Sequence, residues 1–228
     1  MDHTLFLFDI DGTLLDTGGV GQRAMRTVAT QSFGGKLDFG PIRFGGMLDP
    51  DIFHEAAGHG GLEDAASHHQ RFHDAYLPLL AAELAQIDRS STLLPGVIDL
   101  LDRLEREVSA VLGVVTGNYA AAAPIKLEHA GIATQRFTVT GFGDQAPTRP
   151  LLVRHAMDQY AMLHGQPARP ERTIVIGDTP RDIDCAKANG CVAVAVATGR
   201  FPAEELRTHG ADIVLDNLSD PNAILSLL

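Results

Sequence analysis

The stretch Thr4-Leu5-Phe6-Leu7-Phe8-Asp9-Ile10-Asp11-Gly12-Thr13 constrains this chain most. An apolar run of strand-forming residues breaks abruptly into two carboxylates one residue apart, then Gly-Thr. A short apolar run bounded by such punctuation reads as a strand buried on both faces of a parallel sheet. In open α/β sheets ligands bind beyond the carboxyl ends of the strands. Asp9 and Asp11 are therefore expected at a strand end, where two carboxylates tolerate each other best around a divalent cation.

The rest of the chain divides into two textures. Between Gly18 and Ser91 no strand pattern occurs. Helices are predicted over residues 22–32 and from Asp49-Pro50-Asp51 to Gly58-His59-Gly60-Gly61, with Asp suited to a cap and Pro to the first turn. Residues 62–87 read as one long helix or two short ones interrupted near Pro78. From Leu93 onward helices and buried strands alternate. Pro95-Gly96-Val97 opens a helix to about residue 107, with Val97, Leu100, Leu101 and Leu104 on one face. Strands are predicted over residues 110–115, 137–140, 173–176, 191–196 and 212–215, the last at an edge. The intervening helices are predicted over 120–129, 149–163, 183–188, 202–207 and 221–228.

Such alternation is the signature of βαβ units around a parallel sheet. The expected architecture is a doubly wound, Rossmann-like α/β core made of residues 1–16 and 92–228, with an all-helical insertion at residues 17–91. The insertion leaves the core directly after the acidic pair, well placed to cover whatever binds there.

Charge narrows the partners. With a formal net charge of −11 over 228 residues, nucleic acid and anionic membranes are disfavoured, since both call for a basic surface. No apolar stretch reaches the length of a membrane span. No secretory leader is expected, because the run after His3 is short and Asp9 and Asp11 interrupt it. Cys185 and Cys191 lie in Cys-Ala-Lys-Ala-Asn-Gly-Cys, a spacing without a metal or redox pattern. They read as buried free thiols in a reducing cytoplasm.

Four stretches fall at or just after strand ends: Asp9-Ile10-Asp11-Gly12-Thr13, Thr116-Gly117-Asn118, Arg149, and Gly177-Asp178-Thr179-Pro180-Arg181-Asp182. In a parallel sheet these ends converge on one edge. Hard oxygen ligands with room for water suit Mg²⁺. Thr116 with the amides of Gly117 and Asn118, at a helix N-terminus, suits a phosphate. Arg149 suits a phosphate oxygen or a carboxylate. Any one of these residues alone reads as a cap or turn residue; their joint occurrence argues for a site.

In this order the four stretches resemble the motifs of the haloacid dehalogenase superfamily of aspartate-nucleophile phosphohydrolases, and within it the phosphoglycolate phosphatase-like branch. The insertion resembles that superfamily's helical cap. The resemblance implies Asp9 as nucleophile and Asp11 as general acid and then base. It implies Mg²⁺ held by Asp9, by Asp178 and by the backbone carbonyl of Asp11, with Asp182 a ligand through water or an orienting group. Thr116, Gly117 and Asn118 would bind the phosphoryl group. The third motif is usually a lysine; here Arg149 is assigned to it. Lys126, the rival cation, lies two turns beyond Asn118 and is expected to face away.

The implied activity is Mg²⁺-dependent hydrolysis of a small phosphorylated metabolite, phosphoglycolate-like or a sugar phosphate, by a cytoplasmic monomer or homodimer. The alternatives are a phosphomutase with the same phosphoryl-aspartate, or a non-enzymatic phosphoacceptor. Asp11 speaks against carbon–halogen cleavage, whose enzymes lack the second aspartate. Lys36 is a weak candidate for the imine-forming lysine of phosphonate hydrolases. In the insertion, His54, His59, His68, His69 and His73 read as exposed helix-surface residues. Arg23, Arg26 and Arg43 are its candidates for meeting an anionic substrate.

Overall fold

The computed structural model describes residues 3–107 and 109–228. Its centre is β1 (Thr4–Phe8), buried along its whole length. Side chains alternate between the two faces of a strand. Leu5 and Leu7 accordingly enter one apolar cluster, while Phe6, Phe8 and the following Ile10 enter another. Around it stand β2 (Ala110–Val115), β3 (Val139–Gly141), β4 (Thr173–Gly177), β5 (Val192–Val196) and β6 (Ile213–Leu215). They pair in parallel in the order β3-β2-β1-β4-β5-β6. This is the doubly wound order, and the chain reverses its direction of progress beside β1.

Helices cover both faces. Val97, Leu100, Leu101 and Leu104 of α4 (Val97–Leu104) pack on the Phe6–Phe8 face together with Ala123 and Leu127 of α5 (Ala122–Ala130). The Leu5–Leu7 face is covered by α6 (Arg149–His164), through Leu152, Val153 and Ala156, and by α7 (Pro180–Ala188), through Ile183 and Ala186. Two short helices, α8 (Ala203–Thr208) and α9 (Asn222–Leu225), follow β5 and β6. Cys185 and Cys191 are buried free thiols.

Between β1 and α4 the chain forms α1 (Val20–Phe33), α2 (Asp49–Gly60) and α3 (Ala65–Leu84). These share a separate core of Phe33, Phe39, Phe44, Phe53, Phe72 and Leu80, into which Tyr119 and Ala122 of the sheet domain also pack. The α3 helix runs unbroken through Pro78. Phe72, Tyr76, Leu80 and Leu84, four residues apart, hold its buried stripe. Pro78 and Asp74, whose carbonyl loses its partner, lie on the exposed side. The outgoing and returning connectors run side by side: Leu15 bridges Leu93, and Asp16 N–H donates to the Thr92 carbonyl at 2.8 Å.

Two glycines allow close approaches to their backbone, one by a side chain and one by another backbone segment. Gly12 adopts φ +82°, and any Cβ there would overlap the Asp178 carboxylate. Gly117 lies against the Met47 carbonyl, so a side chain would push the helical layer off the sheet.

The Phe72 ring is fully buried and touches Phe33, Phe39, Phe53 and Tyr76. Phe72→Ala is expected to cost ~3–5 kcal/mol in chemical denaturation. A loss below ~1 kcal/mol would mean that this cluster does not stabilise the helical layer.

Candidate functional site

A cavity of about 270 Å³ opens between the carboxyl ends of the strands and α1–α3. Asp9, Asp11, Thr116, Gly117, Asn118, Arg149 and Asp178 all line it. Asp9 and Asp11 arrive from β1, Thr116 to Asn118 from β2, Arg149 from the first turn of α6, and Asp178 from β4. Pro150 is accommodated early in α6 because no helical partner is required of its missing N–H.

The carboxylates share few cations. Arg149 Nη2 stands 3.1 Å from Asp9 Oδ1 and 2.5 Å from Asp182 Oδ1, and its Nη1 donates to the Gly46 carbonyl at 3.3 Å. Asp182 Oδ2 reaches back over the first turn of α7 to the Thr179 amide at 3.0 Å and hydroxyl at 2.6 Å. Asp9, Asp178 and Asp182 each bring a carboxylate oxygen within 4.8 Å of the others. Asp178 Oδ1 is buried without a hydrogen-bond partner.

Burial pushes Asp178 up to about 9, helped by the negative charges of Asp182 and Asp9. Burial likewise raises Asp9 to about 6; the Arg149 guanidinium opposes this, and Asp182 and Asp11 add to it. The surplus of negative charge marks a place for a cation. Hard carboxylate oxygens in a small, partly open volume suit Mg²⁺.

Asp11 sits in a different network. Its Oδ2 accepts from Asn118 Nδ2 at 2.7 Å and from Lys126 Nζ at 2.7 Å. Lys126 also donates to Asn118 Oδ1 at 2.5 Å, and Asn118 Nδ2 to Thr116 Oγ1 at 2.8 Å. Lys126 thus faces the site, contrary to the expectation from its distance along the chain. Helical side chains slant toward the N-terminus, so a long residue one turn along α5 lies back over the loop that begins the helix. Both candidate cations are present, Arg149 against Asp9 and Lys126 against Asp11.

Sequence reasoning missed the contributions of the helical layer. Asp49, buried at the start of α2, donates its N–H to the Gly117 carbonyl at 2.7 Å and accepts the Tyr119 N–H on Oδ2 at 2.9 Å. Burial raises it to about 7, with Lys126 as the chief opposing charge. Its only sequence signal was that of a helix cap. Tyr76 of α3 also lines the cavity, and its hydroxyl is buried without a partner. Thr198, Arg200 and Phe201, after β5, complete the wall.

The candidate arginines of the insertion do not line it. Arg23 donates to the Gly18 carbonyl, Arg26 to that of Phe39 at 3.0 Å, and Arg43 is exposed. Lys36 is also exposed and outside the cavity. The histidines depart in part from the expected exposed surface. His54 is exposed, but His69 meets the Tyr119 hydroxyl at 2.8 Å and the His73 ring lies 4.9 Å from that of Tyr119. Burial, then His54 and His73, lower the proton affinity of His69.

Comparison with known proteins matches this arrangement to a family. A phosphoglycolate phosphatase of Caulobacter vibrioides is 30% identical over 227 residues, covering 97% of this chain and 90% of its own. One from Mesorhizobium japonicum is 29% identical over 208 residues, covering 87% and 85%. Among solved structures, a β-phosphoglucomutase of Clostridium difficile superposes with a TM-score of 0.75 at 19% identity, covering 100% of this chain and 97% of that one; at that identity the likeness is one of fold. The family pattern of the haloacid dehalogenase-like hydrolases matches residues 6–187, and the chain belongs to that family.

Proposed function

We propose that the protein is a Mg²⁺-dependent phosphatase that hydrolyses a small phosphomonoester through a phosphoryl-aspartate on Asp9. The single observation that carries this reading is the separation of the two N-terminal carboxylates into unlike surroundings. Asp9 faces Arg149 and the acidic cluster, while Asp11 is tied to Lys126 and Asn118. Two carboxylates with different partners suit two different tasks.

In this reading the phosphoryl group lies between Asp9, the Thr116 hydroxyl and the amides of Gly117 and Asn118. Asp9 attacks phosphorus in line as the bond to the leaving oxygen breaks. Asp11 gives that oxygen a proton, then takes one from the water that hydrolyses the phosphoryl-aspartate. Arg149 neutralises charge on the phosphoryl oxygens. Asn118 and Lys126 hold the Asp11 carboxylate in place. Asp9, Asp178 and the Asp11 carbonyl would hold Mg²⁺. Asp182 orients, since its oxygens already serve Arg149 and Thr179. When bound, the ion supplies positive charge to the transferring group.

Residues 17–91 serve as a cap that excludes water over a core of residues 1–16 and 92–228. Phosphoglycolate, named in the relatives above, and sugar phosphates are the starting substrates to assay. The protein works as a cytoplasmic monomer or homodimer, a placement supported by its two buried free thiols. No helix among the described residues is long and apolar enough to cross a membrane.

Purified protein is expected to release phosphate from p-nitrophenyl phosphate with Mg²⁺ and not with excess chelator. Asp9→Asn should abolish turnover while circular dichroism stays unchanged. Turnover that survives Asp9→Asn would remove the nucleophile assignment.

The pH dependence of stability checks the ion site without an activity assay. Asp178 rises from an ordinary 3.8 to about 9 on folding. The metal-free folded chain therefore binds this proton more tightly than the unfolded chain. Stability falls as pH rises through that window. Mg²⁺ should thus raise Tm more at pH 8 than at pH 5, and equal increments would contradict the assignment of Asp178 to the ion.

A further inference from the structure

We infer that Gly21, Asp49, Tyr76 and Lys126 form the subsite for the leaving alcohol, and that it takes a neutral, hydroxyl-bearing alcohol rather than a carboxylate or a second phosphate. The inference rests on the phosphatase reading above.

The Tyr76 hydroxyl is the starting point. Tyr76 is 0% exposed, its oxygen has no hydrogen-bond partner among the described residues, and the residue lines the cavity. Buried hydroxyls without partners are uncommon and costly, so this one is placed for a group that arrives with the ligand. Lys126 stands beside it with two of its three N–H bonds committed, one to Asp11 and one to Asn118. The third remains for a ligand oxygen.

Gly21 of α1 lines the cavity beside them. A Cβ on this residue would stand 3.2 Å from the Tyr76 oxygen and 3.5 Å from Lys126 Nζ. Any side chain would press on both groups, so glycine keeps this wall clear for a ligand atom to reach them. Lys126 is 2.7 Å from Asp11, so the wall adjoins the carboxyl assigned to protonate the leaving oxygen, on the side the alcohol's carbon chain would take.

The charge of this pocket selects the ligand. Asp49 lines it and uses Oδ2 for the Tyr119 amide, leaving acceptor capacity toward the cavity. Burial raises Asp49 to about 7 despite Lys126, and the charge of Asp11 adds to the rise. A ligand carboxylate would join Asp11 and Asp49 around one ammonium that is already paired. Arg149, beside Asp9 and Asp182, is assigned to the phosphoryl oxygens, and Arg200 is exposed at the rim. A hydroxyl suits the same groups well, because it accepts from Lys126 or Tyr76 and donates to Asp49. The apolar walls of Met25, Phe44 and Ile52 suit its carbon chain. The cavity of about 270 Å³ holds phosphate and alcohol together. Phosphoglycolate, whose carboxylate would lie among these acidic groups, is therefore a poor fit.

Matched pairs that differ only in CH₂OH against carboxylate test this. The Mg²⁺-loaded enzyme is assayed with glycerol 3-phosphate against 3-phosphoglycerate, and with 2-hydroxyethyl phosphate against phosphoglycolate. The hydroxyl member is expected to have the higher kcat/KM by about ten-fold or more in each pair. Tyr76→Phe should cut that ratio by about five-fold. Gly21→Ala, whose methyl presses on the Tyr76 hydroxyl and Lys126 and favours the helix, should cut it as well. Equal or greater kcat/KM for the carboxylate members overturns the inference, as does a ratio untouched by both substitutions. Failure to hydrolyse p-nitrophenyl phosphate is a separate result, which removes the phosphatase reading itself.

Discussion

Three carboxylates gathered at the carboxyl edge of the sheet, two of them on one guanidinium, set the terms for the rest of this molecule. Asp9, Asp178 and Asp182 are buried, and Arg149 is the cation placed between Asp9 and Asp182. Removing such charges from water is expensive unless partners are fixed in advance. The parallel sheet meets that condition by delivering each group on a separate rigid element. The Gly12 backbone closes against Asp178, and Asp182 is pinned by Thr179. What remains uncompensated is negative, and its hard oxygens suit a divalent cation.

The helical layer is part of this arrangement rather than an attachment to it. Tyr119 belongs to the sheet domain by sequence, yet it packs within the aromatic core of α1–α3 and gives its amide to Asp49. Gly117, whose amide is assigned to phosphate, accepts from the Asp49 N–H with its carbonyl and lies against the Met47 carbonyl. The loop proposed to receive the phosphate therefore has one side on the sheet and the other on the helices.

Much of this was legible from local pattern. A buried run ending in Asp9 and Asp11, strand ends at Thr116 and Asp178, and helical spacing between Gly18 and Ser91 are all properties of short windows. Strand alternation and turn chemistry are the signals that such windows carry. Asp49 and Tyr76 were illegible as site residues because their roles depend on where α2 and α3 dock, which no local period encodes. His69 and His73 drew a surface reading for the same reason, since Tyr119, which covers them, lies about fifty residues away. Lys126 is a different case. The slant of helical side chains was available from geometry alone and placed it over Asn118, whereas its separation along the chain suggested the reverse.

The paired connectors at Leu15 and Leu93 carry a mechanical implication. One connector would let the three helices pivot in any direction, whereas two joined by backbone hydrogen bonds behave as a narrow ribbon. A ribbon bends across its width and resists both twisting and sideways shear. While the Leu15–Leu93 bridge holds, such a ribbon favours one axis of bending for the helical layer. A rotation about that axis would take Met47 and Asp49 off Gly117 together with Tyr76 and Gly21 off Lys126. Opening the cavity and releasing the Gly117 loop would then be a single coordinate.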